Sequence, residues 1–473
     1  PTNPIRFIGA SDLGTLDTLR NGTGGIARLA TLKQRIATEG PVLLVVAGDF
    51  VGPSLAARFS GGRQAIEAFN LAGVDYVTLG NHELELAPDS LAQRITESKF
   101  KWLSANCTTL DGGRVPGTLA WDTVRVQGTR IGLFGLTMPL ESKGFRCGDP
   151  DAAARTAIDS LLAAGAEMIV AVSHQPLEAD VALLNREGQL DLVLGGQGER
   201  ATAVASGSRH ILKPDANAAT VQFVTIWGRK NDWRQAPRLL DVRPNIVPDA
   251  NVQRVVSAYD DSVAVVLGPN RQVGILVDTL DATPDGLRRR EMPIGDLVAD
   301  AMRAGTGADV ALVNAGALRF NDVLVPGPID RYTLETAFPF ADEGRVVVVP
   351  LSGSRLRDLL EHGVADGGYG SGGFLQVAGI RFTVDRSRPS GSRIVGQITR
   401  TDNRLVTTGE TLRVALPSYL ACRGGDGYQV AEASAPCAAS ERAPRLADLL
   451  ASHVAERLGG RVSRPIEGRI TVR

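Results

Sequence analysis

At 473 residues the chain is too long for one ordinary hydrophobic core and is expected to form two or three domains. Its 51 basic residues stand against 52 acidic ones, a formal net charge of −1, which argues against a general binder of nucleic-acid polymers or of anionic membrane surfaces. The longest apolar runs are strand-sized, far below the roughly 20 residues of a membrane-spanning helix, so no membrane span is expected.

From residue 5 to about 240, strand-like runs alternate with amphipathic helical ones at 24–40, 63–73 and 151–165, a pattern that predicts a layered α/β fold. Between them, LAWDTVRVQGTRIGLFGLT (119–137) reads as two alternating strands folded about Gln127-Gly128, a hairpin. Prolines then precede a single amphipathic helix over 245–267, expected as a linker, so the first domain is placed at 1–244. From 268 to 473, long strands such as RVVVVPL and GIRFTVD alternate with helices such as IGDLVADAMRAGTG and SGSRLRDLLEHGV, which predicts a second α/β domain. GGYGSGG (367–373) is expected to be a mobile surface loop.

Five apolar runs in the first domain each stop at a residue able to hold a ligand. IRFIGASD ends on Asp12, LLVVAGDF on Asp49, YVTLGNHE on Asn81 and His82, MIVAVSH on His174, and DLVLGGQGER offers Gln197 and Glu199. In open α/β sheets ligands sit at the carboxyl ends of strands, so these ends can converge on one crevice. Carboxylate and amide oxygens favour Mg²⁺, Mn²⁺ or Ca²⁺, and imidazole adds affinity for Zn²⁺. The plainer reading makes His82 a helix cap and Gln197 and Glu199 ordinary turn residues. His210, His362 and His453 lie in unrelated surroundings and are read as ordinary surface or core histidines.

Order and spacing sharpen this, since GDF is followed by GNHE about thirty residues on, then by SH and GG-x-x-x. Here the chain resembles the calcineurin-like metallophosphatases, and in particular the 5'-nucleotidase family, which joins such a domain to a substrate-binding domain. The resemblance implies a four-layer N-terminal domain, a linker helix, and a C-terminal α/β nucleotidase domain. It also implies one or two divalent ions, Mn²⁺, Mg²⁺ or Zn²⁺, facing Asp12, Asp49, Asn81, His174, Gln197 and Glu199. His82 resembles the family's catalytic histidine, and Glu85 stands where relatives carry the Asp that orients that imidazole. Two family imidazoles are absent, for Gly14 stands at the end of D-x-H and Gln197 at the start of GGHxH.

The second domain resembles the same family in REMPIGDLVADAM, VNAGALR, FPFADE, FLQVAGIRFTVD and GGDGY. The resemblance implies Arg288 and Arg319 near substrate phosphate, Asn314 at the sugar or base, Asp426 on ribose hydroxyls, and aromatic rings around a nucleotide or nucleoside base. Phe340 matches one ring. The other falls by position on Leu420, with Tyr419 one residue further back. Domain rotation about the linker is a further implication of the resemblance.

Cys107, Cys147, Cys422 and Cys437 fit two disulfides in an exported protein, and equally fit buried free thiols in a chain this large. A Cys422 to Cys437 disulfide would reshape the GGDGY loop. The sequence opens at Pro1 with no initiator Met or apolar leader, so a removed signal peptide, with a periplasmic or secreted location, or a trimmed chain is expected. The leading expectation is hydrolysis of nucleotide phosphomonoesters. Its rivals are a catalytically impaired nucleotide-binding homologue and a hydrolase of another phospho- or sulfur-linked ester.

Overall fold

The computed structural model describes residues 4–19, 22–52, 54–197, 201–320, 323–338 and 344–473. The chain divides into two compact units, Pro1–Gly268 and Pro269–Arg473.

The first unit is built on two six-stranded sheets. One runs in the order Asp232–Asp241, Thr220–Arg229, Ile5–Ala10, Val42–Ala47, Tyr76–Thr78, Lys101–Leu103. The other runs Thr202–Ser206, Arg209–Lys213, Leu192–Gly195, Met168–His174, Thr129–Thr137, Trp121–Val126. The strands IRFIGA and VLLVVA are buried at every position, Arg6 included, because both faces of the sheet need cover. Phe7 and Val45 meet Leu133, Val170 and Leu194 in a core between the two sheets. On the outer face of one sheet Ile8, Leu44 and Val46 pack under Ile26, Leu29 and Phe69; on the other, Phe134 and Ile169 pack under Ile158, Leu161 and Leu183. The result is helix, sheet, sheet, helix, each fully buried large side chain contributing about 1.5–3 kcal/mol. The hairpin forms as expected, with Gln127 (φ 51°) and Gly128 (φ 85°) making its two-residue turn between Trp121–Val126 and Thr129–Thr137.

The stretch read as a linker folds into the helix Ala250–Leu267, started by the Asp249 side chain, which accepts from the Asn251 and Val252 N–H groups. Val252, Val256 and Val263 are buried, and the helix packs on Arg63–Ala72, Ile26–Ala37 and Leu55–Ser60. It therefore belongs to the body of the first unit, because its apolar stripe has a partner there.

The second unit holds a four-stranded sheet in the order Val346–Ser352, Thr411–Pro417, Val310–Asn314, Leu375–Ala378. The amphipathic helices Pro293–Thr306 and Gly353–Val364 bury Leu297, Val298 and Met302, and Leu356, Leu359 and Leu360, in one core with its strands. Among the described residues, two three-stranded sheets and a two-stranded one complete the unit. All four cysteines are paired, Cys107 with Cys147 across two short antiparallel strands and Cys422 with Cys437 across the GGDGY loop. Among the described residues no helix is long and apolar enough to cross a membrane.

Candidate functional site

Within each sheet of the first unit the strands that carry the motifs run parallel, so their carboxyl ends emerge at one edge. There, Asp12, Asp49 and His174 each offer a ligand atom, and those atoms lie within 4.8 Å of one another. His174 Nε2 is 3.2 Å from Asp49 Oδ2, while His174 Nδ1 contacts the Ala47 carbonyl at 2.7 Å. This is the geometry of a metal-ligating histidine, whose second ring nitrogen is fixed by a backbone carbonyl while the first faces the site. Asp12, Asp49 and Gln197 all adopt left-handed backbone, with φ of 53°, 54° and 55°. Non-glycine residues held there cost of order 1–3 kcal/mol each, and such strain gathers at functional sites.

His82 stands beside this group, its Nε2 3.8 Å from Asp49 Oδ2 and its Nδ1 3.1 Å from Glu85 Oε2, so the longer carboxylate at 85 reaches the imidazole. The His82 backbone N–H donates to Asp49 Oδ1 at 2.9 Å. Gly80 must be glycine because an added Cβ would lie 2.1 Å from that same Asp49 Oδ1. Gln197 reaches the group through its backbone, its N–H donating to the Asp12 carboxylate. Glu199 lies outside the described residues.

One organiser escaped the sequence reading. Glu83 is fully buried and accepts from the N–H groups of Asp49, Phe50, Val51 and Gly80 at 2.7–3.0 Å, tying the GDF turn to the GN turn. The sequence signal was the last letter of GNHE, which says nothing of the turn it would bind. A buried pair, Lys213 and Asp180, also lies beneath the His174 and Gln197 turns, and no motif announces it.

Charge dominates the site. Burial raises the Asp12 pKa against the pull of His174. Burial would raise Asp49 too, but the His174 and His82 charges hold it down to about 2. Burial would lower His174, yet Asp49 and Asp12 push it up to about 10. The pocket thus favours positive charge at this point, whether a proton on His174 or a cation. The donor set passes a direct test of fit to a divalent ion, because Asp12 Oδ2 and Asn81 Oδ1 are buried and accept no hydrogen bond.

In the second unit, Arg288, Asn314, Arg319, Tyr419 and Asp426 line one cavity of about 580 Å³. Asp426, left-handed at φ 51°, accepts from Asn314 Nδ2 at 2.9 Å and from the Tyr419 hydroxyl at 3.2 Å. Tyr419 packs against Gly425, where a Cβ would come within 2.3 Å of the ring. Leu420, by contrast, is fully buried in the core. Phe340 lies outside the described residues; Phe338, two positions earlier in FPF and not singled out in the sequence, lines the cavity. The GGYGSGG loop contributes Gly370, Ser371 and Gly372 and is tied in place, Gly370 N–H to the Arg288 carbonyl and Gly316 N–H to the Gly372 carbonyl, both at 2.8 Å.

Layered sheets with acidic and imidazole donors at one edge define a calcineurin-like metallophosphoesterase domain, and residues 5–196 match the calcineurin-like phosphoesterase family. Residues 273–433 match the family described as 5'-nucleotidase, C-terminal domain. With both domains in this order, the chain belongs to the 5'-nucleotidase family. It is 26% identical over 463 residues to a snake venom 5'-nucleotidase of Naja atra, covering 86% of this chain and 85% of that protein. A solved 5'-nucleotidase precursor from Thermus thermophilus superposes with a TM-score of 0.81 at 25% identity, over 99% of both chains. A sulfate thiohydrolase from the same organism, 18% identical, shares the fold with a TM-score of 0.74 over 99% of this chain and 96% of that one.

Proposed function

We propose that the chain hydrolyses nucleotide phosphomonoesters in a divalent-metal-dependent reaction. The observation that carries this reading is the convergence of Asp12, Asp49 and His174 donors beside buried, unpartnered oxygens of Asp12 and Asn81. Asp12, Asp49, Asn81, His174, Gln197 and Glu199 would hold the ion or ions. When bound, divalent ions supply a Lewis acid for phosphoryl oxygens and lower the pKa of water.

The chain's own residues supply the rest. The Glu85 carboxylate, 3.1 Å from His82 Nδ1, favours the proton on that nitrogen and leaves Nε2 facing Asp49. From there His82 would stabilise developing phosphoryl charge or protonate the leaving oxygen. Arg288 and Arg319 would take substrate phosphate or its neighbourhood, Asn314 and Asp426 the nucleoside polar groups, and Tyr419, with Phe340, the base. The cavity volume of about 580 Å³ accommodates a small-molecule ligand. Two disulfides support a periplasmic or secreted location.

Gly14 and Gln197, where relatives carry imidazoles, support a second reading, in which the chain binds nucleotides without hydrolysing them. The ester need not be a nucleotide either, since a thiohydrolase shares the fold. Phosphate release from a panel of nucleoside monophosphates, with added Mg²⁺, Mn²⁺ or Zn²⁺ and with a chelator, separates these. Release with Mg²⁺ or Mn²⁺ and its loss to the chelator are expected, Zn²⁺ serving least because imidazoles are missing. Nucleoside binding with no release under any metal would establish the second reading, and sulfate release from a sulfur-linked ester added to the panel, with no phosphate release from the nucleotides, the third.

A further inference from the structure

Beneath the candidate metal ligands lies a charged pair that the proposed chemistry does not use. Lys213 ends the strand Arg209–Lys213, and Asp180 sits in the first turn of the helix Leu177–Arg186. Lys213 is 2% exposed and Asp180 is fully buried, with Nζ 2.7 Å from Oδ2. Lys213 Nζ also donates to the Gln175 carbonyl at 2.7 Å and to the Gly196 carbonyl at 2.5 Å. Asp180 Oδ1 accepts from the Ser173 hydroxyl at 2.5 Å, and the Gly196 N–H donates to the Ser173 carbonyl at 2.7 Å. Every one of these contacts falls on a residue adjoining His174 or Gln197.

We propose that Lys213 and Asp180 are a positioning pair that sets the separation of the His174 and Gln197 turns for the divalent cation. The inference rests on the metal-dependent reading above. Burying an ion pair is a poor route to stability, because desolvation offsets the Coulomb attraction, so its value lies in the geometry it fixes. Lys213 reaches both turns at once, which no neutral side chain of its length with a single donor can do. Being paired, it adds no net charge near a site that must attract a cation.

The sign of the effect separates this role from two simpler ones. If Lys213 acted only through its charge, removing it would strengthen cation binding. If it acted only as structure, the melting temperature would fall while the folded protein kept its affinity. Positioning requires that affinity weaken in folded protein, and for residues that orient metal ligands the loss is roughly 10–100-fold.

The test uses the full chain and Mn²⁺ alone, with titration calorimetry for affinity and electron paramagnetic resonance for the ion's environment. Lys213→Met, which keeps the length without donors, is expected to bind Mn²⁺ at least about tenfold more weakly with an altered spectrum. Should burying an unpaired Asp180 unfold that variant, Lys213→Met with Asp180→Asn leaves no buried charge and is expected to fold with the same loss. Wild-type or tighter Mn²⁺ affinity in either folded variant overturns the proposal while leaving the metal-dependent reading intact. A wild-type chain that binds no Mn²⁺ overturns both, and the two failures are told apart by that control.

Discussion

The two candidate sites turn an aspartate into the same unusual backbone, Asp49 at φ 54° and Asp426 at φ 51°, and then set it among different neighbours. In the first unit the polar atoms are gathered without being satisfied: Asp12 Oδ2 and Asn81 Oδ1 accept no hydrogen bond, and the carboxylates raise the His174 pKa to about 10. In the second, both Asp426 oxygens already have partners, Asn314 and Tyr419. Open buried oxygens of a carboxylate and an amide beside an imidazole suit a cation, whereas a paired carboxylate beside the open Asn314 Oδ1 is preorganised for a ligand that arrives with hydrogen-bond donors and an aromatic face. Substitutions in one unit should therefore leave the other's ligand untouched, and that separation can be attacked directly.

The largest effect is expected at Glu83. Glu83→Ala leaves four N–H groups of the GDF and GN turns without their acceptor, at about 1–3 kcal/mol each. That sum is comparable with the whole stability of about 5–15 kcal/mol typical of a domain. Calorimetry should show the first unit's transition lost or strongly lowered while the second unit's persists. A variant melting like the wild type would mean that water or other groups replace the carboxylate.

Next comes Asp49→Ala, which removes the carboxylate that approaches both His82 and His174. Mn²⁺ binding and any phosphate release should fall below detection, while adenosine binding stays within about twofold, a change under about 0.5 kcal/mol. Loss of adenosine binding in the same variant would break the independence of the two sites.

A smaller but graded effect is expected from pH. A cation must displace the proton that Asp49 and Asp12 hold on His174, whose pKa is about 10, so Mn²⁺ affinity should rise about tenfold per pH unit through the neutral range. In chelator-treated protein the same shift acts on stability. His174 is raised from an ordinary 6.5, so its contribution is complete below pH 6.5 and is lost as pH rises through 10. Asp49 is lowered from 3.8 to about 2, so its contribution is present above pH 3.8 and is lost as pH falls through 2. Thermal melts across this range should show an alkaline decline that Asp49→Ala reduces. A Mn²⁺ affinity flat between about pH 6 and 9 would remove His174 from the ligand set.

The residues that were legible in the sequence share one property: their chemistry follows from where a strand stops. Asp12, Asp49, Asn81, His82 and His174 could be gathered because parallel strands with short apolar runs bring their ends to one edge. Glu83 and Lys213 could not, because the turns they tie are held through backbone groups, and a backbone group has no letter in the sequence. Glu83 binds a turn 34 residues away, and Lys213 serves a turn 38 residues away. The helix Ala250–Leu267 shows the converse limit, since its apolar stripe was visible but not the neighbours that cover it. Similarly, position alone left Leu420 and Tyr419 as alternatives for the second ring, a choice that depends on which side of a six-residue helix faces the cavity.

That choice gives the sharpest test of the second site, and the Tyr419 hydroxyl carries the smallest expected effect. Leu420 is fully buried, while Tyr419 lines the cavity with its hydroxyl on Asp426 Oδ1 and 3.3 Å from the Asp426 N–H. Tyr419→Phe keeps the ring and removes the hydroxyl, so adenosine affinity measured without metal should fall by about 0.5–1.5 kcal/mol, the net worth of one hydrogen bond. Tyr419→Ala removes the ring as well and should cost about 1–3 kcal/mol, the scale of base stacking. Leu420→Ala should instead cost about 2–5 kcal/mol of stability through the cavity it leaves, with the folded unit's affinity preserved. If Leu420→Ala weakens adenosine binding in protein that is still folded and Tyr419→Ala does not, the helix presents its other face to the ligand, and the satisfied Asp426–Tyr419 pair is scaffold rather than binding surface.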